Sequence, residues 1–256
     1  MRRDRFFAGV LCVVWLAGGG VLHAAAAEPP FDHARWDALL KRYVNHGLVD
    51  YKGLQREREQ LTQYIAQLKV ANPAALPSQK EQLAFWINAY NAMVISGVLD
   101  HAPIKSVKEV KGFFDAIRYQ VGGASLTLNE IEARGRALGD WRIHFAVVCA
   151  SSSCPLLRSE AYVPDRLEAQ LAEQTTQFLR DSSRGFRVED AKRMLWVSKV
   201  FKWYAEDFVP KAPLTSDGLV AVLAPFLDPH AVQTLQQQKF TLKFLDYDWT
   251  LNSQGS

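Results

Sequence analysis

The stretch KEQLAFWINAYNAMVISGVL, Lys80–Leu99, decides the fold. It is apolar or aromatic on every side of a helical wheel, and a helix of that kind is either buried or in a membrane. Asn88 and Asn91 interrupt it, with Glu81 ahead of them. Seven and ten residues on from Glu81, the two amides fall on roughly one helical face. The expectation is an interior helix with a single polar stripe. Asn72-Pro73 and Pro77-Ser78 break the chain just before it.

Working outward, Phe31–Val44 and Leu54–Lys69 read as amphipathic helices joined by a turn at Gly47. Residues 118–128 read as a hairpin, because Ile117, Tyr119 and Val121 alternate and Gly122-Gly123 can take the positive φ of a tight turn. Thr127 with Glu130 has the spacing of a capping box. Trp141–Cys149 alternates as a strand, with Ile143, Phe145 and Val147 opposite His144, Ala146 and Val148. A loop over 150–157 follows, then a helix with Pro164 in its first turn that runs to Arg180. Phe186–Val188 and Met194–Val197 form a second hairpin. Ser198–Phe208, Asp217–Phe226 and Pro229–Gln238 are short helices, and Phe240–Tyr247 is a closing strand. No repeat, linker or charge block divides these elements. The fold class is therefore α+β, a single domain over 28–256. A buried central helix would pack on a small mixed or antiparallel sheet, with several peripheral helices.

Residues 1–27 form a secretory signal peptide in this reading. Arg2, Arg3 and Arg5 precede an apolar run over 6–22, and Ala24–Ala27 offer small residues for cleavage. The rival is a retained anchor, since the run approaches spanning length. Without these residues, three arginines and one aspartate leave the count, so 27 basic face 26 acidic residues and the net charge falls from +3 to +1. A near-neutral chain offers no electrostatic footprint for nucleic acid. No stable membrane span is expected after cleavage, and the location is periplasmic or secreted. Two cysteines remain, Cys149 and Cys154, in a compartment where a disulfide persists.

Four groups of residues are candidates for chemistry. The first is His144 with Cys149-Ala-Ser-Ser-Ser-Cys154. A thiolate nucleophile needs a base or positive charge beside it. On a flat strand His144 and Cys149 would face opposite ways, so a couple requires the strand to end first. The alternatives are a Cys149–Cys154 disulfide and a metal site, which lacks a fourth ligand and any CxxC or HxxxH spacing. The second group is the stripe Glu81, Asn88 and Asn91, which either ties the helix to irregular main chain or lines a pocket beside His144. The third is Lys199 among aromatics, snorkelling or supplying charge. The fourth is Asp246-Tyr247-Asp248-Trp249. No HExxH, GxSxG or phosphate-binding glycine loop is present, and no cofactor is expected.

Several blocks, in this order, resemble the domain-of-unknown-function family five hundred and forty-seven. They are Ala84–Ala92, Ser125-Leu126 with Ile131-Glu132, Arg142–Ala146, Cys149-Ala-Ser with Ser153-Cys-Pro155, Arg158 with Glu160-Ala-Tyr162, Ser198–Phe208 and Tyr247–Asn252. The resemblance implies no settled activity, and its members are often exported bacterial proteins. Ala133 departs from the histidine that relatives commonly carry after the Ile-Glu pair.

Two functional expectations follow. One is a thiol-dependent hydrolase or acyltransferase on a peptide or small amide. Cys149 would be its nucleophile, His144 its base and Asn88 the orienting or oxyanion group, with Asn91, Glu81, Lys199, Arg158 and Ser151 in the binding site. The other is a non-catalytic periplasmic ligand-binding or envelope-associated module with a structural disulfide. A weaker third is a thiol redox protein. The partner is a small molecule or peptide.

Overall fold

The helix α1, Ala34–Tyr43, opens residues 30–255, the part of the chain that this computed structural model describes; the signal peptide expected over 1–27 lies outside them. A two-stranded turn follows, β1 Val44–Asn45 and β2 Leu48–Val49. The helices α2, Tyr51–Arg56, and α3, Arg58–Val70, then lead to α4, Gln79–His101. Ser78 starts α4 with a capping box. Its Oγ accepts from Glu81 N at 3.2 Å, and its own N–H donates to Glu81 Oε2 at 3.1 Å. That cap, with Pro77 barring an earlier start, accounts for Glu81. Every residue from Leu83 to Leu99 is buried, and α3 and α5 supply the closest helical packing. Burying each Leu, Ile or Phe there contributes roughly 1.5–3 kcal/mol.

The hairpin β3, Tyr119–Val121, and β4, Ala124–Leu126, turns on Gly122 (φ +60°) and Gly123 (φ +73°). A side chain at either would be strained. Thr127 and Glu130 then cap α5, Leu128–Arg136. Beyond residue 140 come α6 Leu167–Arg180, β5 Phe186–Glu189, β6 Met194–Val197, α7 Lys199–Trp203, α8 Ala205–Phe208, α9 Ser216–Leu223, α10 Pro229–Gln237 and β7 Thr241–Phe244. Pro164 sits in the turn that leads into α6, not in its first turn. The sheet β5-β6-β7 is mixed. β6 is antiparallel to β5 and parallel to β7, with Val197 opposite Phe186 and Phe244.

The class is α+β, as expected. The sheet, however, covers a second hydrophobic cluster built on Phe145, Phe178, Phe201 and Phe208, while α4 lies in the first. No helix among the described residues is long and apolar enough to cross a membrane.

One expectation fails. Residues 141–149 are not a strand: Trp141–Phe145 is a 3-10 turn capped by Asp140, whose carboxylate accepts from Arg142 N at 3.0 Å. The main chain beyond it is irregular and buried. Asn91 supplies the partners that a neighbouring strand would have given. Its Nδ2 donates to Ala146 O at 3.0 Å and its Oδ1 accepts from Val148 N at 2.9 Å. Asn88 does the same one turn earlier, donating to Tyr162 O at 2.8 Å and accepting from Tyr162 N at 3.0 Å. The polar stripe of the central helix is thus a pair of amide clamps on irregular main chain, which needs them because buried N–H and C=O groups must be paired.

After β7 the chain returns across the molecule to the first half. Ser152 N donates to Thr250 O and Leu251 N to Lys105 O, each at 2.8 Å, and Val49 N donates to Asn252 O at 2.9 Å. The Tyr51 hydroxyl donates to Asn252 Oδ1 at 2.8 Å.

Candidate functional site

Where α5, the 3-10 turn, α7 and the returning segment meet, they enclose a cleft of about 470 Å³. Its floor carries His144 and Glu132. Its walls carry Tyr90, Phe113, Tyr204, Tyr247 and the Cys149–Cys154 pair, and Lys108 and Lys111 also line it. Trp203, Tyr247 and Trp249 form one aromatic group, with ring centroids 4.7 Å apart for both Trp203–Tyr247 and Tyr247–Trp249. Lys108 Nζ lies 4.9 Å over the Trp249 ring. Trp203 is 47% exposed, an unusual position for so large an apolar ring.

His144 is held on two sides. Its ring stacks on Tyr204 with centroids 4.0 Å apart. Its Nε2 lies 2.7 Å from Asp207 Oδ2, and Asp207 is gripped in turn by Arg136 through Nε at 2.6 Å and Nη2 at 2.9 Å. A carboxylate only accepts, so Nε2 carries the proton and Nδ1 is left with a lone pair. Nδ1 faces Glu132 Oε1 at 3.9 Å, too far for a hydrogen bond. Glu132 Oε1 is buried without any hydrogen-bond partner.

The charges follow from this packing. Burial holds His144 down at about 4 against the pull of Asp207, so the ring is neutral at pH 7. The hydrogen bonds from Arg136 are the main reason that Asp207 stays below the usual carboxylate range. Burial pushes Glu132 up, although the Tyr204 hydroxyl and Arg136 oppose it. The floor is therefore a neutral imidazole with a free lone pair beside an acid that is costly to ionise.

Cys149 and Cys154 stand at disulfide distance, with Cα atoms 6.2 Å apart. Ala150, at φ +60°, curls the loop that brings them together. The Tyr247 hydroxyl lies 3.2 Å from Cys149 Sγ and 3.3 Å from Cys154 Sγ, and Ser151 Oγ donates to it at 3.3 Å. Burial pushes the Tyr247 phenol up to about 12.

Of the residues singled out from sequence, His144 and Cys149 share the cleft and Ser151 backs the cysteine pair. Asn88 and Asn91 do not line it, because their amides are spent on main chain. Glu81 caps α4. Lys199 faces Asp246 at 4.0 Å. Arg158 joins a separate ion-pair group with Glu160 and Glu173. Cys149 Sγ stands at disulfide distance from Cys154 Sγ. Sequence reasoning missed Asp207, Arg136 and Glu132 as partners of His144. Asp207 is 63 residues away. Glu132 and Arg136 did carry a signal, being one helical turn apart on a short capped helix.

An α+β domain that keeps a polar floor unsatisfied under aromatic walls is a domain with a built cleft. Residues 74–179 match the family model described as "Protein of unknown function, DUF547", so that segment is similar to this family. His144, Glu132 and both cysteines lie within the match, whereas Asp207 and the returning segment lie beyond it. No curated protein and no solved structure matches the chain.

Proposed function

We propose that the protein is a binding module whose cleft takes a small organic molecule or the end of a peptide, with Cys149–Cys154 as a structural disulfide. The observation that carries this is Glu132 Oε1, buried and unpartnered 3.9 Å from the His144 lone pair at the cleft floor. An unsatisfied buried polar group costs roughly 1–3 kcal/mol, so a ligand that completes it is the simplest reason to keep it. The test is Glu132→Gln. This isosteric change removes an acid that is costly to ionise, so unfolding stability at pH 7 rises by about 1 kcal/mol. Ligands that native protein selects from a fragment set lose affinity. A less stable Glu132→Gln protein with unchanged ligand affinity would refute the reading.

A second reading is favoured by one observation: His144 and Cys149 line the same cleft. If the disulfide is reduced, Cys149 becomes a nucleophile for acyl transfer with His144 as base. Hydrolysis of an activated ester that begins only after reduction, and is lost in Cys149→Ser, would support it; no hydrolysis after reduction would dispose of it. Export belongs to the same proposal. Sequencing of the mature N-terminus, with cleavage close to residue 27, tests it.

A further inference from the structure

We propose that the buried end of the ligand in this cleft is a primary ammonium group, seated between Glu132 Oε1 and His144 Nδ1. This rests on the binding reading above and narrows it to one ligand chemistry. Both floor atoms accept hydrogen bonds and cannot satisfy each other, because Asp207 fixes the imidazole proton on Nε2. A group that satisfies both must donate at least two hydrogens. A hydroxyl offers one and an ammonium three.

Charge decides between an ammonium and a neutral donor such as water. The charged and titratable groups around the floor are Glu132 and Arg136 on α5, His144 on the 3-10 turn, Tyr204, Asp207 on α8, and Tyr90 on α4. Arg136 is spent on Asp207 through two hydrogen bonds. His144 is neutral, and burial pushes Tyr90 and Tyr204 up, so both stay neutral as well. Ionised Glu132 is thus one negative charge without a counterion on the floor. Tyr90 and Tyr204 line the cleft beside it, and aromatic faces favour a cation. Farther out, Lys108, Lys111 and Asp115 line the cleft, while Trp203, Tyr247 and Trp249 offer faces for an apolar or aromatic ligand body.

The probes are phenethylamine and its neutral isostere 2-phenylethanol, titrated by calorimetry at pH 7.5 into the native disulfide-bonded protein. The amine binds about tenfold or more tighter than the alcohol. Glu132→Gln, checked for folding by circular dichroism, removes that preference, so the amine binds no more tightly than the alcohol. Affinity for the amine rises with pH as Glu132 ionises and is flat in Glu132→Gln. If the alcohol binds as tightly as the amine, or Glu132→Gln keeps the preference, the ammonium assignment is overturned while the binding reading stands. If neither probe nor any member of a fragment set binds native protein, both fall.

Discussion

Asn91→Ala is the substitution that most directly tests how this fold is held. The change strands two main-chain groups at once, the carbonyl of Ala146 and the N–H of Val148, both in buried residues. At roughly 1–3 kcal/mol for each unsatisfied buried group, the loss is about 2–6 kcal/mol. That is a large share of the roughly 5–15 kcal/mol that holds a typical domain. Urea unfolding followed by circular dichroism measures it. The midpoint falls and the slope stays the same, because the surface exposed on unfolding is unchanged. Each kcal/mol lost lowers the melting temperature by about 2–4 °C for a chain of this size. A loss below about 1 kcal/mol would refute the reasoning, since it would mean that water or a shifted main chain takes over both partners.

Acid should weaken the fold through two histidines. Burial holds His33 and His144 at about 4, below their unfolded value near 6.5, so the unfolded chain binds more protons. Their contribution is therefore complete above pH about 6.5 and is lost as pH falls toward about 4; a melting temperature that is flat across that window would contradict it. Glu132 runs the other way: its raised pKa favours the folded state at low pH and works against it as pH rises, so the stability gain of Glu132→Gln grows with pH. Reducing Cys149–Cys154 closes no large loop in reverse, and should cost only about 2 kcal/mol. Thiol labelling of native protein should find both sulfurs protected until reductant is added, and ready labelling without it would show that the pair is open.

The central helix was legible because two independent signals agreed: an apolar run on every face, and the Asn72-Pro73 and Pro77-Ser78 breaks just ahead of it. The glycine hairpin was legible because Gly122-Gly123 permits few other conformations. The segment over 141–149 misled because its two alternating sets, Ile143-Phe145-Val147 and His144-Ala146-Val148, are equally buried. Alternation separates strand from coil only when one face is polar. The features that decided against a strand lie elsewhere in the chain: Asp140 capping the turn, and Asn91 on α4 taking the main-chain groups. Half of the site was readable, because His144 and the cysteines stand close in sequence. Its electrostatics were not, since they depend on Asp207 meeting Arg136 across 71 residues.

The backward run of residues 245–254 sets an order of events for a newly made chain. Val49, Tyr51, Lys105 and Ser152 are synthesised early, yet each waits for a partner between Thr250 and Asn252. Tyr247 and Trp249 emerge in the same late stretch, so a chain stalled before residue 245 lacks two of the aromatic rings that line the cleft. Proteolytic nicking near Leu245 would therefore detach both rings from the cleft, and under the proposed binding reading it would abolish capture while sparing the helical half.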